Sequence, residues 1–517
     1  MSRLFQDRYD LSRRRLFRAF GAAAIGAMAI PAATGRAIAR PVYADYPFQL
    51  GVAAGDPAPD GFVIWTRLAP RPLEPGYGMP SEAVEVSWEV AADSGFRTVV
   101  QRGDTLARPE VGHAVHVEVA GLEAGREYFY RFSSGRERSL TGRARTLPGA
   151  GAAVDRVRFG VAGCQHYEQG FYTAYRRLAE ERPDFVFCYG DYIYEGRGAR
   201  VWNSSSGPVE NARVMQGGEC YSLDDYRLRY AQTKMDADLQ AAHAASAWFC
   251  SWDDHEIDNN WVGELDQDGT DPRLFDLRRQ AAVQAYWEHM PLRRSSFPIG
   301  PTMALFRRAS FGSLLDLNVL DTRSYRTDQP CNDRWQTGCE GINAATAQVL
   351  GERQERWLAE GLSASRATWK ALAQQVMLMD LDREPGEGES YNLDSWGAYR
   401  TPRGRVLEEI RRRRIKDVVV LTGDEHQNFA GEVRLDGRRM EEAPVAVEFV
   451  ATSISSGGDG EDQRPATVRI AEANPFLKFH NSRRGYLLCE VTPDRWQTHF
   501  RVLDKVTSRD GRLSTAA

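Results

Sequence analysis

The chain has 517 residues, more than one ordinary hydrophobic core accommodates, so one large and one small domain are expected. Hydrophobic residues make up 42% and charged residues 26%, the balance of a soluble globular protein. The formal charge is −5 and no basic stripe or nucleic-acid motif interrupts it. This argues against a surface for long phosphate polymers, while a small anion can still be drawn to a local metal or arginine cluster.

The first predicted element is a leader. "SRRRLFR", Ser12 to Arg18, precedes a weakly apolar run from Ala19 to Ala39 that is rich in Ala and Gly and interrupted by Pro31, too polar for a stable membrane span. The consecutive arginines resemble a bacterial twin-arginine signal, and Ala37-Ile38-Ala39 offers a small-x-small cleavage site. Residues 1–39 are therefore expected to engage the twin-arginine export machinery and to be removed, leaving a secreted or periplasmic protein. That removal takes away seven basic and two acidic residues, and the formal charge falls from −5 to −10.

Residues 40–148 have the grammar of antiparallel sheet. "VEVSWEV" alternates Val84, Val86, Trp88 and Val90, and "VHVEV" alternates Val115, Val117 and Val119. Tyr128, Tyr130 and Phe132 follow a glycine-bearing turn, in the manner of the tyrosine corner of fibronectin-like sandwiches. A small β-sandwich domain is expected here, with a Gly/Ala linker from Pro148 to Ala153.

From Val157 onward strands alternate with amphipathic helices, the pattern of an α/β or mixed α+β domain over residues 154–517. Five apolar runs each end in a potential ligand or acid: at Cys164, Asp191, Asp253 with Asp254, Asp321, and Asp424 with His426. Side chains at the carboxyl ends of neighbouring strands converge on one crevice in such sheets. In "SWDDHEIDNNW" four carboxylates crowd between Trp252 and Trp261, and a cation is the natural compensation. The bland alternative is a solvated acidic loop. Asp424 and His426, two apart, would share a face of an extended segment while Glu425 points away. Asp191 and Tyr194 can reach a common metal across a turn. Thiolate, phenolate, imidazole and carboxylate together suit a redox-accessible transition metal such as iron, whereas Asp254 and Asn260 suit a hard ion such as calcium. Seven cysteines leave at least one unpaired; Cys331 and Cys339, in the polar loop "CNDRWQTGC", are the best disulfide candidates, while Cys188, Cys250 and Cys489 sit in apolar runs and are expected to be buried.

Taken in order, "GVAAGDPAPDGFVIWTRL", "GDYIYE", "WDDHEIDNNW", "LDTRSYR", "TGDEHQN" and "KFHNSRRGY" resemble the motifs of PhoD-type alkaline phosphatases, and the resemblance spans nearly the whole chain after the leader. That family is similar in catalytic fold to the purple acid phosphatases and other calcineurin-like metallophosphoesterases. The resemblance implies a mixed α+β architecture in which the small β-sandwich precedes a catalytic domain of two mixed sheets flanked by helices. Cys164 stands where related enzymes begin an Asp-x-His motif, and Asp254-His255 stands for their Asn-His pair. These departures recur in the PhoD type and imply ferric iron with calcium, with other divalent metals possible. Asp191 would bridge the metals, Cys164, Tyr194 and His426 would favour iron, and Asp254 and Asp424 calcium. Metal-bound hydroxide would attack small phosphate esters and release inorganic phosphate, His255 protonating the leaving alkoxide or binding phosphate. Arg323 is a candidate phosphate clamp, with a surface pair to Asp321 as the alternative. A phospholipase D-like or phosphotriester-cleaving enzyme on the same scaffold, and a calcium-stabilised extracellular binding protein, are the competing functions.

Overall fold

Along the strand Phe185–Cys188, Phe185 and Phe187 face one hydrophobic layer and Val186 and Cys188 another, the period-two alternation that a sheet covered on both faces requires. The same alternation recurs in Val418–Thr422, where Val419 and Leu421 face one layer and Val418 and Val420 the other. A computed structural model describes residues 41–204, 207–333, 337–384 and 388–517, so the leader expected over residues 1–39 lies outside the described residues.

Two sheets are packed face to face. The first has nine strands, in the order Leu513–Thr515, Trp496–Leu503, Gly485–Val491, Val157–Ala162, Phe185–Cys188, Ala247–Cys250, Val52–Ala58, Gly61–Arg67 and Ala114–Val119. The second has seven, Arg307–Phe311, Leu315–Val319, Trp369–Ala373, Val418–Thr422, Ala446–Val450, Asn428–Val433 and Leu477–Asn481. Phe159, Val161, Phe187 and Phe249 from the first sheet meet Leu315, Leu317, Ala371 and Leu421 from the second in one dry layer. Helices cover the outer faces. Tyr175, Tyr230, Leu239 and Tyr286, on the helices Thr173–Glu180, Leu223–Lys234, Ala237–Ala245 and Pro272–His289, close the first sheet. Leu358, Leu362, Val406 and Leu407, on Gly351–Ala364 and Arg400–Arg412, close the second.

The N-terminal stretch does form a sandwich, but it shares one of its sheets with the rest of the molecule. A five-stranded sheet holds Val84–Ala91, Val99–Ala107, Glu127–Ser134, Glu137–Arg138 and Gly142–Arg145. Its Val86, Val90, Tyr130 and Phe132 pack on Phe62, Ile64 and Val115, which belong to the last strands of the nine-stranded sheet. Val52–Ala58 joins that sheet by parallel pairing with Ala247–Cys250. The Tyr128 hydroxyl accepts from the Glu123 amide at 3.0 Å, the backbone tie of a tyrosine corner. Residues 41–517 cluster as one unit.

Candidate metal centre

In each sheet the central strands run parallel, Val157–Ala162 with Phe185–Cys188 and Ala247–Cys250 in one, Leu315–Val319 with Trp369–Ala373 and Val418–Thr422 in the other. The loops that follow five of these strands supply the crevice, so the expected convergence is drawn from both sheets. Cys164, Asp191, Asn260, Asp424 and His426 all hold left-handed backbones, with φ between 50° and 64°. Non-glycine residues at positive φ cost energy and persist where surrounding structure holds them, which marks these five positions as built for something other than local stability. The segment through Asp424 and His426 is therefore bent and not extended, correcting the sequence expectation. Glu425 does turn away, to pair with Arg383.

Three groups of ligand atoms, each within 4.8 Å, occupy the crevice: Cys164, Asp191 and His426; Asp191, Asp254 and His255; and Asp253, Asp254 and Asp424. Asp424 and His426 thus serve different groups. Tyr194 Oη donates to Asp191 Oδ2 at 2.9 Å and lies 3.1 Å from His426 Nε2 and 2.6 Å from Ser456 Oγ, which ties it to the first group. Asn260 stands beside Asp254, its amide donating to Asp254 Oδ2 at 2.8 Å and its side chain to Asp333.

The acidic loop divides its carboxylates between two duties. Glu256, fully buried, accepts the backbone amides of Asp191, Tyr192 and Asp253, and Asp258 pairs with Arg278 at 2.7 Å. Only Asp253 and Asp254 remain for the crevice. Trp252 and Trp261 meet edge to face at 6.1 Å and are buried, forming the dry wall behind them. Arg323 is also fully buried, with Nε 2.6 Å from Asp253, Nη1 2.7 Å from Asp394 and Nη2 3.7 Å from Asp254. It is neither at the surface nor paired with Asp321 through its side chain; it stands behind the carboxylates as their counter-cation. His255 Nδ1 lies 2.7 Å from Glu195 Oε2, and the other Glu195 oxygen accepts the Asn259 amide at 2.9 Å.

Electrostatics show what the crevice lacks. Burial pushes the Asp191 carboxyl up to about 7 and Asp253 to about 8, and it carries Asp424 well above its ordinary range with help from Asp253 and Glu425. Burial, then Asp191, raises the thiol of Cys164 and the phenol of Tyr194. Burial also disfavours charge on Asp254, yet Arg323 and His255 hold it well below the usual carboxylate range. His255 is likewise opposed by burial, but Glu195, Asp254 and Asp191 raise it well above its ordinary value. Asp191 Oδ1, Asp253 Oδ2 and Asp254 Oδ1 are buried without a hydrogen bond. A lost partner at a buried oxygen costs about 1–3 kcal/mol, so three around one crevice fit a bound cation.

Several contributors escaped the sequence reading. His166 meets Tyr194 at 4.4 Å with the rings tilted by 41°, His255 meets the same ring at 4.2 Å, and the signal for His166 was the spacing Cys164-x-His166. Glu195, Ser456 and Asp394 had no spacing signal, because their partners are distant in the chain. Arg484, buried, donates to the carbonyls of His426 and Gly458 and holds the bend that aims His426. Cys331 and Cys339 are bonded, and Cys164, Cys188, Cys220, Cys250 and Cys489 are free and buried.

A crevice at the carboxyl ends of two facing sheets, lined with oxygen, nitrogen and sulfur groups and backed by a histidine paired to a buried glutamate, belongs to a metal-dependent hydrolase. Residues 159–500 match the PhoD-like phosphatase family and residues 34–148 its N-terminal domain, so the chain belongs to the PhoD-like phosphatases. It is 45% identical to alkaline phosphatase D of Bacillus subtilis (strain 168) over 479 residues, 93% of this chain and 81% of that one. A solved structure of PhoD superposes with a TM-score of 0.89 at 45% identity, covering 92% of this chain and 90% of the other. The protein is thus a metal-dependent phosphoric ester hydrolase. Among the described residues no helix is long and apolar enough to cross a membrane.

Proposed function

We propose that the protein is an exported alkaline phosphatase or phosphodiesterase in which Cys164, Asp191, Tyr194 and His426 hold ferric iron, while Asp254, Asp424 and Asn260 hold calcium. What supports this division is that one group of ligand atoms joins sulfur, imidazole nitrogen and a neighbouring phenol, whereas another is carboxylate only. Asp191 belongs to two of the groups and is the residue that joins them. Bound there, the metals supply Lewis-acid charge to the phosphate oxygens and lower the pKa of water.

The chain's own residues do the rest. His255, kept protonated by Glu195, gives its proton to the leaving alkoxide, and Glu195 fixes the ring from the far side. Arg323 balances the charge of Asp253 and Asp254 from within the protein. Trp252 and Trp261 exclude water behind the carboxylates. In this reading residues 1–39 are a twin-arginine leader, residues 40–148 the supporting β-domain and residues 154–517 the catalytic domain.

Asp254→Ala should lower both metal content and activity. His255→Ala should keep near-full metal content and lose about 10²- to 10⁴-fold in rate, less on aryl esters, whose leaving groups need no proton, than on alkyl esters. Metal analysis that finds zinc without iron refutes the ligand division. Loss of metal in His255→Ala makes that residue a ligand.

A further inference from the structure

Apart from the crevice and sharing none of its residues, a cavity of about 530 Å³ opens at the corner where the two N-terminal sheets meet the helix Pro272–His289. Two of its walls are the strands Val99–Ala107 and Ala114–Val119. Each is the last strand of its sheet, so one row of backbone groups on each has no strand partner. The third wall is aromatic. His116 stacks on Trp287 at 4.0 Å, and Phe297 meets Trp287 edge-on at 4.8 Å.

Three features separate this cavity from an ordinary surface dent. Trp287 and His116 are more than nine-tenths buried, yet Trp287 Nε1 and His116 Nδ1 have no hydrogen-bond partner. His116 Nε2 lies 2.9 Å from the Met290 carbonyl and so carries the proton, which leaves Nδ1 as an acceptor. The deep wall thus holds one donor and one acceptor that are costly to bury unmet and are covered by the wall's own atoms. Phe297 and Leu106, at 52% and 43% exposure, present apolar surface at the mouth. Arg108 and Arg294, both exposed, line the same cavity, and neither forms an ion pair among the described residues.

We infer that this cavity binds an amphipathic anion: a flat apolar body lying against Phe297 and Leu106 at the mouth, with its negative group held by Arg108 and Arg294. Aromatic faces and a guanidinium pair select for that combination, because the rings favour a planar body and the arginines an oxyanion. No residue that lines the cavity belongs to the crevice, so the two sites are separable by mutation.

The test uses the metal-loaded protein and two dyes, 8-anilinonaphthalene-1-sulfonate and its uncharged analogue N-phenyl-1-naphthylamine. The sulfonate should bind saturably at one site, with a rise in dye fluorescence and quenching of tryptophan emission. The neutral dye should bind at least tenfold more weakly. Arg108→Glu with Arg294→Glu should weaken the sulfonate at least tenfold, and Phe297→Ser should do so independently, with phosphatase activity and melting temperature unchanged. Trp287→Phe, which alters only the covered ring behind Phe297, should weaken it less. No saturable binding, equal binding of both dyes, or binding indifferent to the arginine pair and to Phe297 overturns the inference.

Discussion

Replacing Glu256 by glutamine keeps one acceptor oxygen and turns the other into an N–H donor aimed at a backbone amide. One Glu256 oxygen takes the amides of Asp191 and Asp253 and the other that of Tyr192, so no orientation of a glutamine satisfies all three. Glu256→Gln should therefore cost about 1–3 kcal/mol, read as a lowered denaturant midpoint, and should release metal because Asp191 and Asp253 lose their backbone anchor. A variant that melts normally and keeps its metal contradicts this account of the loop. The residue also shows where sequence ran out. Asp191, Asp254, Asp424 and His426 were legible because each follows an apolar strand, and the structure does gather them. The duties inside "DDHEID" were not, since Glu256 is as acidic as Asp254 and only the fold decides which carboxylate meets amides. Arg323 invited a clamp role through its place after Asp321; its true partners, Asp253 and Asp394, lie some seventy residues to either side.

At the scale of the element, the helix Leu223–Lys234 ends on a buried lysine. Lys234 is 1% exposed, its ammonium 4.3 Å from the Trp65 ring and 5.1 Å from that of Tyr192, and burial lowers it to about 7. The unfolded chain, with Lys near 10.5, binds more protons than the folded one between pH 7 and 10.5. Stability contributed here rises with pH across that window, by up to about 1.4 kcal/mol per unit, and the full penalty applies below pH 7. Unfolding midpoints between pH 7 and 9.5 should climb, and Lys234→Met should flatten the climb and raise the midpoint at pH 7. A slope unchanged by the substitution rules Lys234 out as its source. Strands were the elements best read from sequence, because alternation and a terminal ligand coincided. "VHVEV" was read correctly as a strand, but nothing in its pattern told which sheet would receive Ala114–Val119.

For the whole molecule, that choice of sheet matters more than the linker. Val52–Ala58, Gly61–Arg67 and Ala114–Val119 finish the nine-stranded sheet. Trp65 Nε1 donates to the Glu288 carbonyl at 2.9 Å, and Arg67 lies 2.6 Å from His289. Deleting residues 41–148 would bare the edge of Ala247–Cys250 and the faces of Ala231, Ala244 and Ala247 that the deleted strands cover. The truncated protein should be recovered as aggregate under conditions where residues 41–517 are monodisperse, as size-exclusion chromatography would report. A soluble, active fragment would mean the catalytic sheet closes without these strands.

The pairing has a further bearing on how a ribosome must deliver the chain. Val52–Ala58 waits for Ala247–Cys250, and Val157–Ala162 waits for Gly485–Val491, more than three hundred residues further along. Through much of synthesis the growing polypeptide therefore carries strand edges whose partners do not yet exist, and the central sheet is completed only once Gly485–Val491 has emerged. Long-range pairings of this kind fold slowly and expose sticky intermediates, so the nascent chain, more than the finished enzyme, is the species that needs a chaperone.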